Sequence, residues 1–209
     1  MASSPGTMQR RIGLTGGIAS GKSSVGRLLE ASGWPVLDAD QFARAVLEPG
    51  TTSTQAVLQR HPSVCRGDDS IDRAALGQIV FADAGERQWL NDLIHPQVRL
   101  RFERGLGEHA DAPTIVLMIP LLFEAGLTDL CSEIWLVDCD EEQQLERLMR
   151  RNALTREDAQ ARIAAQWPLN RKRPLADVLI NNRGTEQSLK QQLSIAINNR
   201  PKDQSPPFK

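Results

Sequence analysis

The sequence of 209 residues predicts an α/β protein with a five-stranded parallel sheet flanked by helices. The first observation is that five short apolar runs lack polar alternation, which is typical of strands covered on both faces. The runs are residues 11–14, 35–38, 114–119, 133–138 and 177–180. The second observation is that apolar residues recur at helical spacing between the runs, as Val25, Leu28 and Leu29 do after the first run.

The connection between the second and third runs is about seventy-five residues long, which is too long for a simple crossover. Helical patterns cover residues 41–47, 73–81, 87–94 and 97–106. Pro49-Gly50 and His95-Pro96 are predicted to interrupt these helices, because proline has no backbone N–H to donate. We therefore expect this connection to form a helical insert.

A second excursion follows the fourth run and spans residues 154–173. Thr155-x-x-Asp158 has the pattern of a capping box that opens a helix. The basic ending Arg171-Lys172-Arg173 suits a flap better than a core helix. The apolar residues expected on one face of the helix are Ala159, Ile163 and Trp167.

The charge composition limits the class of partner. Lysine and arginine (25) nearly balance aspartate and glutamate (26), for a formal net charge of −1. That balance argues against a protein that wraps nucleic acid or coats an anionic membrane, since both need a basic surplus. The charge is nevertheless segregated, because residues 147–173 hold eight basic and two acidic residues. A basic segment on an acidic body favours small ligands rich in phosphate.

Two further features of the composition concern the cellular compartment. No apolar run approaches the roughly 20 residues that span a membrane, and the first seven residues lack the apolar centre of a signal peptide. We therefore expect a cytoplasmic protein. Cys65, Cys131 and Cys139 show no spacing typical of a zinc site, so reduced and mostly buried thiols are expected.

Residues 16–23, here called the phosphate loop, match the motif G-x-x-x-x-G-K-[ST] and follow a predicted strand at the start of a predicted helix. The glycines let successive N–H groups approach phosphates at the positive end of a helix. Lys22 is predicted to reach the outer phosphates of a nucleotide, and the Ser23 hydroxyl to ligate Mg²⁺. The expected nucleotide-binding residues are Gly17, Ile18, Ala19, Ser20, Gly21, Lys22, Ser23 and Ser24.

Two aspartates, Asp38 and Asp40, lie at the carboxyl end of the second run, at the edge where open α/β sheets bind ligands. Side chains at i and i+2 point the same way on extended backbone. One carboxylate is then suited to accept a proton from an attacking hydroxyl, and the other to orient water around Mg²⁺. The alternative is that Asp40 caps the helix predicted at 41–47, and the two roles are compatible.

Arg147, Arg150 and Arg151 share one face of a predicted helix. Arginine suits bidentate phosphate contacts and the charge that develops in phosphoryl transfer, so the three residues are interpreted as part of a lid. The alternative is a solvated face on which Glu146 pairs with Arg150. His95 has no local nucleophile or metal ligand, which favours a structural role on residue evidence alone.

Several short motifs, in this order and spacing, resemble the dephospho-CoA kinase family over residues 9–199. Each motif is weak alone, but together they are specific. They are Leu14-Thr-Gly-Gly-Ile-Ala-Ser-Gly-Lys-Ser23, Asp38-Ala-Asp40 with Ala43-Arg44, Leu93-Ile-His-Pro96, Pro120-Leu-Leu-Phe-Glu124, Val137-Asp138 and Ala176-Asp177.

The resemblance implies a P-loop kinase core with a helical substrate-binding insert and a lid. It also implies transfer of the ATP γ-phosphate to the ribose 3′-hydroxyl of dephospho-CoA, the last step of coenzyme A biosynthesis. Asp40 matches the family's catalytic base. Arg147 and Arg151 match lid-side positions that contact ATP. The positions that match the substrate side are Arg44, His95 and Glu124. We also expect Asp38 to bind substrate and to contact Mg²⁺ through water.

Three positions depart from the family pattern. Ala19 stands where glycine is frequent, and its side chain requires a backbone φ below zero. Asn152 stands where an aspartate often follows the lid arginine. Asn181 stands in Ile180-Asn181-Asn182-Arg183-Gly184, where the family has a more acidic sequence.

This interpretation divides the chain into four parts. The nucleotide-binding core comprises residues 8–47, 113–153 and 174–199, the insert 48–112, the lid 154–173, and flexible termini 1–7 and 200–209. We expect a monomer or a weak homo-oligomer that binds neither nucleic acid nor membrane. The rival functions are another P-loop kinase of small molecules or nucleoside monophosphates, and a regulatory module that uses nucleotide for conformation.

Overall fold

The computed structural model describes residues 9–199, and the predicted flexible termini lie outside them. The strands are β1 (Arg10–Gly16), β2 (Val36–Asp38), β3 (Thr114–Met118), β4 (Glu133–Asp138) and β5 (Val178–Asn181). They form one sheet in the order β2-β3-β1-β4-β5. β1 pairs in parallel with β3 and β4, and β4 pairs in parallel with β5. The predicted five-stranded parallel sheet is confirmed.

Nine α-helices occur between residues 9 and 199. They are α1 (Lys22–Ala31), α2 (Ala39–Val46), α3 (Thr52–Arg60), α4 (Arg73–Ala82), α5 (Ala84–Glu108), α6 (Glu141–Asn152), α7 (Arg156–Ala164), α8 (Leu169–Lys172) and α9 (Glu186–Asn198). The described chain forms two compact units. The first comprises residues up to Leu37 and from His109 onward, and the second comprises Asp38–Glu108.

The core of the first unit lies between the sheet and its helices. Ile12 and Leu14 of β1 and Trp135 of β4 are fully buried, and Leu189 and Leu193 of α9 belong to the same cluster. Leu136, next to Trp135 on β4, faces the other side of the sheet and is buried in a separate cluster with Leu169. The central strands therefore bury side chains from both faces, as apolar runs without alternation predict.

The second unit is helical, with α2, α3, α4 and α5. The expected break at His95-Pro96 is wrong, because α5 runs without interruption from Ala84 to Glu108 with Pro96 inside it. Both halves of α5 are held by tertiary packing: Trp89 lies against the buried cluster that contains Val57, and Phe102 meets Phe42 edge-on at 5.0 Å. Packing on both sides of Pro96 offsets the one helical hydrogen bond that proline removes.

The segment between α6 and β5 is only partly as predicted. Thr155 N-caps α7, and its hydroxyl accepts the Asp158 N–H at 3.1 Å. Ala159 is buried on α7, but the helix ends at Ala164. Trp167 therefore does not lie on its face, and that part of the prediction is wrong.

The described residues contain no helix that is both long and apolar enough to cross a membrane.

The three cysteines are free thiols in different environments. Cys139 is buried and Cys131 partly buried, but Cys65 is exposed, so the expectation of buried thiols is wrong for Cys65. Burial raises the pKa of Cys131 to about 12 and that of Cys139 to about 11. Both thiols thus stay protonated near neutral pH, and the thiolate is the reactive form.

We expect one thiol per chain to react rapidly with Ellman's reagent at pH 8, because only Cys65 is exposed among the three cysteines. The other two should react after unfolding in guanidinium chloride. The variant Cys65→Ser should show no rapid phase. Two rapidly reacting thiols in the native wild type would contradict the burial of Cys131 and Cys139.

Candidate active site

The phosphate loop connects β1 to α1 in the first unit, as its motif predicts. The Ser20 N–H donates to the Gly17 carbonyl (3.1 Å), and Gly21 N-caps α1 with a φ of +96°. Within the described residues, the N–H groups of Ala19 and Ser23 donate to no protein acceptor. They lie beside the N-terminus of α1, where the helix dipole favours an anion.

Ala19 adopts a left-handed backbone conformation with a φ of +58°. The expectation that its φ stays below zero is therefore wrong. A Cβ in this conformation crowds the following carbonyl, which costs roughly 1–2 kcal/mol. The methyl group packs beside Leu145, Leu148 and Ala159, and this packing offsets part of the cost.

Asn182, directly after β5, holds the loop from one side. Its side-chain amide donates to the Ser20 carbonyl at 2.8 Å. Its N–H donates to the Asp138 carbonyl at 2.7 Å, and its own carbonyl accepts from Arg147 at 2.9 Å. A Cβ built on Gly21 would lie 2.0 Å from the Asn182 amide nitrogen, so this contact requires glycine.

The variant Gly21→Ala is expected to weaken binding of a non-hydrolysable ATP analogue by about tenfold. The methyl group would overlap the Asn182 amide, and a positive φ is itself unfavourable for alanine. Titration calorimetry measures the affinity. Gly33→Ala is a matched control, because Gly33 also has a positive φ (+87°) but no atom within 4 Å of its added Cβ. Equal affinities for the two variants would contradict the steric argument.

A cavity of about 530 Å³ is lined by the phosphate loop and by the three predicted arginines of α6, namely Arg147, Arg150 and Arg151. One terminal nitrogen of Arg147 binds the Asn182 carbonyl, and the other is buried without a partner in residues 9–199. The alternative pairing of Arg150 with Glu146 is not present in that range. The structure thus brings the phosphate loop and the three arginines to one cavity.

A second cavity of about 410 Å³ adjoins the first along α1, and Ser24 lines both. Its other lining residues are Arg27, Leu28, Asn182, Glu186 and Leu189. Leu28 and Leu189 give this cavity an apolar part, and its volume leaves room beside the phosphate loop for a group larger than phosphate.

Asp38 and Asp40 lie in the second unit, at the start of α2. The alternative that Asp40 caps this helix is wrong, because Asp38 is the N-cap residue of α2. The Asp38 side chain accepts the Asp40 N–H at 2.8 Å. The expectation that both carboxylates extend from one strand is also wrong, since Asp40 belongs to the first turn of α2. The Asp40 side chain is exposed, and its carboxylate has no hydrogen bond or ion pair with any described residue.

Arg44 and His95 also lie in the second unit. Arg44 is exposed on α2, one helical turn after Asp40. His95 is half-buried on α5. Burial lowers the pKa of His95 below its ordinary value, and the Asp92 carboxylate opposes that shift. The imidazole is therefore neutral at pH 7, so it can hydrogen-bond but brings no positive charge.

Glu124, in the first unit, is already engaged by the segment after α7. Its Oε1 accepts the Trp167 N–H at 3.0 Å and lies 2.7 Å from Lys172 Nζ. The Lys172 side chain is fully buried. The Glu124 Oε2 is buried without a partner among the described residues. One oxygen of this carboxylate is thus fixed by the protein, and the other is not.

The basic ending of the 154–173 segment, predicted as a flap, is held within the first unit by contacts that the flap interpretation does not anticipate. Lys172 pairs with Glu124, and Arg173 pairs with Asp138 at 3.0 Å. The Arg171 guanidinium lies 3.3 Å from the centre of the Trp167 ring. Lys172 and Arg173 thus pair with carboxylates that are distant in sequence, and Arg171 lies on an aromatic ring. A run of three basic residues does not by itself predict the two distant partners.

Sequence reasoning missed two glutamines that contact the phosphate loop. Gln144 of α6 donates to the Ile18 carbonyl at 2.7 Å, and Gln166, after α7, accepts the Ile18 N–H at 2.9 Å. Neither has a spacing or charge that marks it in the sequence. Sequence reasoning also missed Asn182 as a loop contact. Its position is marked in the sequence, because it lies in residues 180–184, where the chain departs from the family pattern.

The comparison with known proteins identifies the family of this site. A family model described as dephospho-CoA kinase matches residues 10–188. The chain belongs to the dephospho-CoA kinase family. A dephospho-CoA kinase from Synechococcus sp. (strain CC9605) is 67% identical over 178 residues, which cover 84% of this chain and 86% of that protein.

Two solved structures extend the likeness to the fold. The crystal structure of TT1252 from Thermus thermophilus is 35% identical, with a TM-score of 0.79 over 90% of this chain and 96% of that chain. A dephospho-CoA kinase from Campylobacter jejuni is 25% identical, with a TM-score of 0.69 over 91% of this chain and 96% of that one. The predicted P-loop kinase core is confirmed.

Two of the three positions at which this chain departs from the dephospho-CoA kinase pattern have local partners. The Asn152 side chain accepts from Arg151 at 2.8 Å. Asn181 donates its N–H to Gln192 at 2.9 Å, and its side chain accepts the Arg183 N–H at 3.0 Å. Ala19, by contrast, has a strained backbone in the centre of the nucleotide site.

Proposed function

We propose that this protein transfers the γ-phosphate of ATP to the 3′-hydroxyl of dephospho-CoA, giving coenzyme A and ADP. The observation that carries the proposal is the 530 Å³ cavity in which the phosphate loop meets three arginines, in a chain of the dephospho-CoA kinase family. Phosphoryl transfer depends on positioning and charge stabilisation, and both are available in this cavity.

The phosphate loop and Lys22 bind the ATP phosphates in this proposal. The N–H groups of Ala19 and Ser23 are available to phosphate oxygens, and α1 adds the positive end of its dipole. The adjoining 410 Å³ cavity has room for the nucleoside, and Ser24 lies between the two cavities. Arg147 and Arg151 neutralise charge on the transferred phosphoryl group.

Mg²⁺ fits the donor set of this site. The Ser23 hydroxyl is exposed at the start of α1 and offers the oxygen ligand that Mg²⁺ prefers. No group of three or more His, Cys, Asp or Glu side chains suited to a metal occurs in the described residues. Mg²⁺ that arrives with phosphates needs only one or two protein ligands, so Ser23, with Asp38 through water, is sufficient. Bound there, the ion would neutralise negative charge on the phosphates.

Asp40 is proposed as the catalytic base. Its carboxylate is exposed and unpaired among the described residues, so it is available to accept the proton of the acceptor hydroxyl during attack on the γ-phosphorus. Asp38 has a separate duty, because its cap on α2 fixes the start of the helix that carries Asp40.

The remaining predicted residues bind the acceptor in this proposal. Arg44 is an exposed cation one turn from Asp40, which suits a phosphate of dephospho-CoA. His95, neutral because burial lowers its pKa, serves as a hydrogen-bond partner. The buried Oε2 of Glu124 accepts a hydrogen bond from the acceptor's polar groups. The division into core, insert and lid, the monomeric or weakly oligomeric state, and the cytoplasmic location remain predictions.

The purified protein with ATP and Mg²⁺ should convert dephospho-CoA to coenzyme A, separated by liquid chromatography, with equimolar ADP. Parallel reactions contain a nucleoside monophosphate or a polyol as acceptor. Preferred phosphorylation of either alternative would overturn the proposal in favour of another P-loop kinase activity. ATP binding without phosphorylation of any acceptor would favour the regulatory module.

A further inference from the structure

Two glutamine side chains hold one residue of the phosphate loop. The Ile18 N–H donates to Gln166 Oε1 at 2.9 Å, and the Ile18 carbonyl accepts from Gln144 Nε2 at 2.7 Å. The loop fixes which end of each amide makes the contact, since a backbone N–H requires an oxygen and a carbonyl requires an N–H. Both backbone groups of Ile18 are therefore bound by side chains from outside the loop.

The two glutamines belong to different elements. Gln144 lies on α6 and is only 4% exposed. Gln166 lies beyond the end of α7, in the predicted lid segment. A Cβ built on Gly17 would lie 2.3 Å from Gln144 Nε2 and 3.5 Å from Leu169. Gly17 thus lies close against the Gln144 amide and within van der Waals distance of Leu169, so the loop contacts both elements.

The residue after Ile18 is the one with the strained backbone. Ala19 has a φ of +58°, and its N–H has no protein acceptor among the described residues. No hydrogen bond of Ala19 itself therefore favours this conformation. The turn is restrained by the fixed Ile18 peptide groups on one side and by the hydrogen bonds of Ser20 on the other. The Ala19 methyl group also packs against the cluster of Leu145, Leu148 and Ala159.

We propose that Gln166, together with Gln144, is a positioning residue that holds the Ile18–Ala19 turn in its nucleotide-binding conformation before ATP arrives. A loop that is ordered in advance loses less conformational freedom on binding, and its affinity rises accordingly. Gln166 also links the segment after α7 to the phosphate loop through a single hydrogen bond. Measurements of turnover depend on the proposed function. Measurements of nucleotide affinity and of amide hydrogen exchange do not depend on it.

The test begins with Gln166→Leu, which keeps the size of the side chain but removes the acceptor. Loss of one neutral hydrogen bond should raise the Kd for ADP about five- to tenfold. The KM for ATP should rise with it, while the KM for dephospho-CoA stays unchanged. The Ile18 amide should exchange with solvent at least about tenfold faster in the nucleotide-free protein. Gln160→Leu is the matched control, because Gln160 is exposed on α7.

Repeating Gln166→Leu in a protein that also carries Ala19→Gly distinguishes a positioning role of Gln166 from a general loss of stability. Ala19→Gly removes the backbone strain, so the loop needs less support from Gln166. The increase in Kd caused by Gln166→Leu should therefore be about twofold or less when residue 19 is glycine. Gln166→Asn, whose amide is one methylene too short for the contact, provides the same comparison if the leucine variant does not fold.

Three outcomes would overturn the proposal. They are an unchanged Kd for ADP in Gln166→Leu, the same increase in Kd in both backgrounds at residue 19, and a raised KM for dephospho-CoA with normal nucleotide affinity. If the wild type binds ADP but does not phosphorylate dephospho-CoA, the proposed function fails, while the Kd and exchange data still decide the role of Gln166.

Discussion

Asp40→Asn is expected to lower kcat about 10²- to 10³-fold while the Kd for a non-hydrolysable ATP analogue changes by less than about twofold. Asparagine has the shape of aspartate but does not accept the proton of the attacking hydroxyl. The exposed Asp40 carboxylate has no partner in the described chain, so its replacement leaves no group unsatisfied. A coupled assay of ADP release measures kcat, and calorimetry measures the Kd.

Two further variants make this result specific. Asp111→Asn removes the same charge from an exposed loop position and should leave kcat unchanged. Asp38→Asn keeps a good helix N-cap, so α2 and the position of Asp40 should be preserved. Full turnover by Asp40→Asn would exclude Asp40 as the base, and an equal loss in Asp111→Asn would show that the charge acts through the field of the whole protein.

The sheet and the phosphate loop could be predicted because their signals are local. An apolar run of four to six residues defines each strand, and the bounds of β4 agree with the prediction. The phosphate loop carries glycine, lysine and serine at fixed spacing between a strand and a helix. Each of these conclusions needs only residues that are neighbours in the chain.

The errors arise where distant contacts override local preference. Pro96 is compatible with a continuous α5 because Trp89 and Phe102 are packed on either side of it. Lys172 is buried because Glu124, far away in the sequence, supplies the opposite charge. Ala19 has a positive φ in a loop that two distant glutamines contact. The sequence around a basic run or an alanine does not reveal such distant partners. Reasoning from the sequence therefore places the basic residues in solvent and gives the alanine an ordinary negative φ.

A buried cation at the start of β1 contributes to stability in a way that no motif marks. The Arg10 guanidinium donates to Glu133, whose side chain is 2% exposed. It also donates to the carbonyls of Ile197, at 3.0 Å, and of Ala196, at 3.3 Å, near the C-terminus of α9. A cation at that end of a helix is favoured by the helix dipole.

Arg10→Met is therefore expected to lower the free energy of unfolding by about 3–5 kcal/mol, measured by urea denaturation. The methionine fills much of the volume but leaves the Glu133 carboxylate buried without its partner. Because the cost comes mainly from that charge, Arg10→Met with Glu133→Gln should be more stable than Arg10→Met alone. Arg99→Met is the control, since it breaks an exposed pair with Glu103 and should cost less than about 1 kcal/mol. A loss below about 1 kcal/mol in Arg10→Met would contradict the argument that the buried Arg10–Glu133 pair is the main source of the cost.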